Sequence, residues 1–243
     1  DQLMQKLAEI LVMRQVINLS WPPETSFEIE AGVAGGLKRV DLVVTLPDGK
    51  KFGFEVKAPK YTPHARHRSD KPFQFPARLE MSSVEFQTQN ADKPVLSRDN
   101  TLRSFLRSAN EKFDAFAARH DFCGVLVIVW DDWIFEAIGP LLSERVGLLT
   151  PATYSVVDGV PETFKNIDTV LILRHLTCFV EAAKEDTLPD ASFDAMHIGG
   201  GGENPNIIIE MSDIGLPEFV KNGFNAVPID HPAIADVPEY QTD

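Results

Sequence analysis

Asp41, Glu55 and Lys57 are residue types that can hold a divalent cation and balance charge on a phosphoryl group, and their spacing can bring them together. They flank Leu46-Pro47-Asp48-Gly49-Lys50. Pro suits the first central position of a type I turn, and Gly suits the left-handed position that follows, which is the common three-residue hairpin loop with a bulge. Closing the loop with Leu46 opposite Lys50 makes paired residue numbers sum to 96, so Asp41 faces Glu55. The side chains test this register, because alternate residues share a face. One face collects Val40, Leu42, Val44, Leu46, Phe52, Phe54 and Val56, apolar apart from Lys50 beside the turn. The other collects Arg39, Asp41, Val43, Thr45, Lys51, Gly53, Glu55 and Lys57. A two-residue loop would pair Leu42 with Glu55 and mix the faces.

Directly opposed Cβ atoms lie about 4.5–5.5 Å apart, where two carboxylates repel by roughly 3 kcal/mol at an effective dielectric near 20. A shared proton, a neighbouring cation or a bound metal must offset that. Mg²⁺ accepts one or two carboxylates and retains several waters, which suits this pair. Lys57 could orient a metal-activated water or neutralise charge on a phosphate. Gly53 on the same face leaves room for a ligand. The same charges could instead form a solvated strand face of cross-strand ion pairs, and Asp48-Gly49-Lys50 shows how easily acid-x-Lys arises.

Asp41, the hairpin and Glu55-Val56-Lys57 resemble the core signature of the PD-(D/E)xK nuclease superfamily, with its restriction-endonuclease-like fold. The resemblance covers about residues 1–130. It implies a core running helix, three strands, helix, strand, with the Asp on the second strand and the acid-x-Lys on the third. It further implies Mg²⁺ or Mn²⁺ on Asp41 and Glu55, the Val56 carbonyl as another ligand, and an acidic residue on the first helix, for which Glu9 is the candidate. Glu28 and Glu30 on the preceding strand are rivals for that third carboxylate. Val40 stands where the pattern often has Pro, and no Gln-x-x-x-Tyr follows on the next helix.

The chain has 243 residues and a formal net charge of −13, which at first argues against nucleic acid. The distribution changes that reading. Residues 57–112 carry 11 Lys/Arg against 6 Asp/Glu, whereas residues 181–243 carry 2 against 13. Local sign governs a phosphate-binding groove more than the total does. Lys60, Arg66, Arg68, Arg103 and Arg107 are the candidate nucleic-acid contacts, with Lys112 a further one; Arg103 and Arg107 serve equally well as solubilising charges. His64 and His67 lack a third ligand at zinc spacing. Cys123 and Cys178 lie in apolar contexts and read as buried thiols. No run is long enough to span a bilayer and no signal peptide is apparent, so a cytoplasmic protein without membrane partners is expected. The first residue is Asp1 rather than Met, which suits a piece of a longer polypeptide.

The elements that must position these residues follow from periodicity. Gln2 to Asn18 reads as a helix with Leu3, Leu7, Ile10, Leu11 and Ile17 apolar, ended by Trp21-Pro22-Pro23. Ser26 to Val33 reads as a strand. Residues 58–100 form a long basic insertion punctuated by Pro. Thr101 to His120 is a helix whose stripe is Leu102, Phe105, Leu106, Ala109, Phe113 and Phe116. Gly124–Trp130 and Asp168–Arg174 are apolar runs of the kind found in strands buried on both faces. The expected architecture is α/β, a mixed central sheet flanked by helices with a restriction-endonuclease-like core in residues 1–183, followed by an acidic appendage, 184–243, with one short strand at Ile207–Ile209. Gly199–Gly202 lacks the Lys and Ser/Thr of a phosphate loop and reads as a linker. The expected function is metal-dependent hydrolysis of nucleic acid, DNA before RNA. The alternatives are a non-catalytic module of the same fold within a larger nucleic-acid-processing or defence assembly, and an interaction protein whose acidic C-terminal part binds a basic partner or blocks its own groove. The expected partners are nucleic acid, DNA first, and a larger protein assembly or a second copy in a homodimer.

Overall fold

The structure is a computed structural model that describes residues 2–32, 38–60, 98–116, 121–130, 134–144, 146–153, 155–174 and 205–231. Helix α1 (Gln2–Ile17) leads into strands β1 (Ser26–Gly32), β2 (Arg39–Thr45) and β3 (Lys51–Lys57). Helix α2 (Arg98–Phe113), β4 (Phe122–Val129) and α3 (Phe135–Leu142) follow, then the two-strand ribbon β5 (Val156–Val157) and β6 (Val160–Pro161). β7 (Thr169–Leu173), β8 (Asn206–Glu210), α4 (Glu218–Gly223) and β9 (Ala226–Pro228) complete the order.

The β2–β3 hairpin has the register that its turn dictates: Leu42 faces Phe54, Val44 faces Phe52 and Thr45 faces Lys51. The Leu46 carbonyl accepts the Gly49 N–H at 2.9 Å, and the Lys50 carbonyl accepts the Leu46 N–H at 2.8 Å. Gly49 has φ +91°, the left-handed conformation that a side chain would oppose. Asp48 secures the bulge by accepting the Lys50 N–H at 3.0 Å.

The hairpin lies inside a seven-stranded sheet of order β1-β2-β3-β4-β7-β8-β9. Parallel pairs join β3 to β4, β4 to β7, and β8 to β9, and the remaining pairs are antiparallel. The fold is therefore α/β around a mixed sheet, with helices on both faces. On one face Leu42, Val44, Phe52, Phe54 and Val56 pack with Met4, Ala8, Leu11, Val12 and Val16 of α1. On the other, Val43, Leu126, Ile128 and Val170 pack with Leu102, Leu106, Ala109 and Phe113 of α2 and Ile138 and Leu141 of α3. β4 and β7 are buried along their whole length, as continuous apolar runs require. No described helix is long and apolar enough to cross a membrane.

Several expectations change. The inward face of α1 is Met4, Ala8, Leu11, Val12 and Val16, while Leu3 and Ile10 are 71% and 53% exposed. The helix is apolar around most of its circumference, and the side with small Ala8 and β-branched Val12 and Val16 is the one packed on the sheet. Val40 packs with Ala31 and Val43 on the α2 side rather than with Leu42. The space beside Gly53 is filled: a Cβ there would come within 2.4 Å of the Phe122 ring, so the residue admits close aromatic packing and leaves no room for a ligand. Asn206–Pro228, expected within an acidic appendage, contributes two strands to the main sheet and a helix whose Val220 packs in the core against it. Asn206 fastens this part, accepting the Arg174 N–H at 3.0 Å and donating to the Phe224 carbonyl at 2.6 Å. A boundary at residue 184 thus does not follow the sheet.

Candidate active site at the open end of the hairpin

Asp41 lies near the start of β2, while Glu55 and Lys57 lie at the end of β3. The site therefore forms where the chain leaves the parallel pair β3–β4, beyond the carboxyl ends of its strands, which is where open α/β sheets place ligands. Asp41 Oδ2 accepts the Val56 N–H at 2.8 Å. This bond ties the carboxylate to the strand that carries Glu55 and leaves Oδ1 for the Lys112 ammonium.

Glu55 alternates with buried Phe54 and Val56 and so projects beneath α2. Its side chain is fully buried. Oε1 lies 2.7 Å from Lys57 Nζ and 2.6 Å from Lys112 Nζ, and Lys112 Nζ is also 3.6 Å from Asp41 Oδ1. Oε2 is buried and has no hydrogen-bond partner among the described residues. Burial pushes the Glu55 carboxyl above its ordinary range, and the Asp41 charge adds to the effect; Lys57 and Lys112 pull it back only in part. Asp41, Lys57 and Lys112 keep 16%, 14% and 23% of their side-chain surface exposed, so they form a rim around the buried Glu55.

Lys112, a further candidate for nucleic-acid contact, is set by the structure against both carboxylates. No local pattern links it to Glu55, 57 positions away. It reaches the site because α2 covers the charged side of the hairpin and ends above it.

The other candidates divide. Glu9 is buried on α1 with Oε2 2.5 Å from Lys6 Nζ. That hydrogen bond is the main reason the Lys6 ammonium is held above its ordinary range, with smaller contributions from Asp41 and Glu30. Glu28 and Glu30 lie on exposed β1. Among the described residues no three His, Cys, Asp or Glu side chains are gathered to hold a metal, so Asp41 and Glu55 stand as a pair without Glu9, Glu28 or Glu30. Lys60 is exposed just past β3. Arg107 gives a two-pronged pair to Glu162, Nε to Oε1 at 2.6 Å and the terminal nitrogen to Oε2 at 2.8 Å, and the Arg103 charge bears on the same carboxylate. Arg66, Arg68, His64, His67, Cys178 and the Gly199–Gly202 run lie outside the described residues. Cys123 is buried and its thiol is pushed up to about 12, chiefly by burial, which makes it inert.

No family model, curated protein or solved structure matches the chain.

The site offers two hard oxygen donors, one of them an unsatisfied buried carboxylate oxygen. That donor set fits Mg²⁺ or Mn²⁺, which are content with two carboxylates and water. Glu55 Oε2, buried without a donor among the described residues, is the oxygen that such a cation would satisfy.

Proposed function

We propose that this chain is a metal-dependent nuclease of the PD-(D/E)xK type, hydrolysing phosphodiester bonds in nucleic acid, with DNA the expected substrate. The carrying observation is the meeting of Asp41, Glu55 and Lys57 at one end of the β2–β3 hairpin, with Glu55 Oε2 buried and unsatisfied. The order helix, three strands, helix, strand from α1 to β4 agrees with the core that the resemblance implies.

Asp41 and Glu55 would hold the cation, with the Val56 carbonyl available by the same resemblance. Bound there, a divalent cation supplies Lewis-acid activation of water and of the phosphoryl oxygen. Val56 fixes the aim of Asp41 through its N–H, so the carboxylate need not be ordered when substrate arrives. The buried position of Glu55 removes competing water and strengthens every charge interaction at the site. Lys57, at the rim, is within reach of both Glu55 and an incoming phosphate, where it orients the attacking water or balances charge in the transition state. Lys60, exposed just past β3, adds positive charge after Lys57 in the chain.

A second reading has one observation in its favour. Lys57 and Lys112 both neutralise Glu55 Oε1, an ion-pair network that a non-catalytic relative of the same fold could retain for binding alone.

The deciding experiment is cleavage of DNA and RNA with Mg²⁺, with Mn²⁺ and with EDTA, comparing the wild type with Asp41→Ala and Lys57→Ala. Metal-dependent cleavage lost in both variants is expected. Indistinguishable, metal-independent behaviour in all three proteins would remove the nuclease reading and leave the binding module.

A further inference from the structure

Lys112 lies where a cation shared by Asp41 and Glu55 belongs. Its ammonium is 2.6 Å from one carboxylate and 3.6 Å from the other, whereas the Lys57 ammonium is paired with Glu55. Lys112 stands in the last turn of α2, on a flexible four-carbon stem, with part of its side chain open to solvent. It can therefore leave the pair by rotation about its own bonds while the helix stays in place. A divalent cation on the same two carboxylates would stand against a positive charge in nearly the same position, which like-charge repulsion forbids.

We propose that Lys112 is a resident counter-ion that offsets one of the two charges of the Asp41–Glu55 pair and must yield it before a divalent cation can bind. The inference rests on the nuclease reading and adds a rule to it: metal loading and departure of Lys112 are one event. The departing ammonium stays tethered at the rim and meets the negative phosphate of the substrate there, so substrate favours loading. Without nucleic acid, the protein binds metal weakly because its own lysine competes.

The test is Mn²⁺ binding by calorimetry, without nucleic acid, to the wild type, Lys112→Gln, Lys112→Arg, Lys57→Gln and Asp41→Asn. Lys112→Gln is expected to tighten Mn²⁺ binding by about tenfold, and Lys57→Gln by less. Lys112→Arg keeps the charge and should leave affinity near the wild-type value. Mn²⁺ should also raise the unfolding temperature of Lys112→Gln more than that of the wild type. If Lys112→Gln does not fold, Lys112→Met carries the same expectation with the stem's packing retained. Binding that Asp41→Asn abolishes but Lys112→Gln leaves unchanged or weakens would overturn the counter-ion role while the metal site stands. Equal tightening by Lys57→Gln, or tightening by Lys112→Arg, would overturn it as well. Absence of any Asp41-dependent binding would remove the metal site and this inference together.

Discussion

Asp41 Oδ2 accepts the backbone N–H of Val56 at 2.8 Å, so a side chain holds the two strands together at the open end of the hairpin. The carboxylate thus has a structural duty through one oxygen and a charge facing Lys112 through the other. These duties separate by substitution. Asp41→Asn keeps an acceptor for Val56 and should cost less than about 1 kcal/mol, whereas Asp41→Ala strands that N–H and should cost about 1–2 kcal/mol. Both should lower metal-dependent cleavage by at least about a hundredfold, since both remove a metal-binding charge. Urea unfolding read beside the cleavage assay checks this, and equal stability of the two variants would deny the Val56 bond its role.

Gly53 and Gly124 sit side by side on β3 and β4, and both lack the space for a methyl group. A Cβ on Gly53 would meet the Phe122 ring at 2.4 Å, and one on Gly124 would meet the backbone carbonyl of Asn166 at 2.3 Å. A ring can tilt, but a carbonyl fixed by its chain cannot readily move. Gly53→Ala should therefore cost about 1–3 kcal/mol and Gly124→Ala more. The ranking is the test, measured by urea midpoints; a costlier Gly53→Ala would mean that the Phe122 ring is more tightly held than the Asn166 backbone.

The hairpin was legible because Pro47, Asp48 and Gly49 admit few backbone geometries, and one turn fixes every pair above it. β4 and β7 were legible for a different reason: short unbroken runs rich in Val and Ile suit strands covered on both faces. The inward side of α1 was not, because apolar residues surround most of that helix and periodicity alone does not rank one face over another. Gly53 misled because absence of a side chain looks the same whether the space is for a ligand or for Phe122. Lys112 was legible as a cation but not as the partner of Glu55, since that pairing depends on how α2 crosses the sheet. β8 was legible as a strand from Ile207-Ile208-Ile209, but its place in the main sheet, and β9 altogether, were hidden by the acidic surroundings.

Arg107 and Ser155 together hold Glu162, through Nε at 2.6 Å to Oε1, and through the Arg107 terminal nitrogen at 2.8 Å and Ser155 Oγ at 2.6 Å to Oε2. Burial pushes the Glu162 carboxyl up, but these hydrogen bonds and the Arg107 and Arg103 charges outweigh it and leave it below its ordinary 4.5. A carboxyl depressed in the folded state binds more protons when unfolded. Its stabilisation is present above 4.5 and is lost as pH falls through the lower, folded value. Glu162→Gln should cost about 1 kcal/mol at neutral pH, a figure kept small because Arg107 is partly exposed. The cost should shrink toward about pH 3. Urea midpoints of both proteins across that range are the check; a difference that does not vary with pH would show that the Glu162 charge contributes nothing.

Glu55 Oε1 receives both Lys57 and Lys112, at 2.7 Å and 2.6 Å, so either ammonium can compensate in part for loss of the other. Lys57→Met and Lys112→Met should each cost about 1 kcal/mol in EDTA, while the double variant strands a buried carboxylate and should lose roughly 3–5 kcal/mol, more than the sum. The pH dependence has the opposite sign to that of Glu162. With its cations gone, the Glu55 carboxyl rises further above its unfolded value, so the protonated form favours the fold below 4.5 and that contribution is lost as pH rises. The double variant should therefore regain stability relative to the wild type as pH falls from about 7 to about 4. Adding Glu55→Gln should restore most of the loss at neutral pH, because an amide has no charge to strand. Additive costs that ignore both pH and Glu55→Gln would mean that the two lysines act through packing alone and that Glu55 is already neutral beneath them.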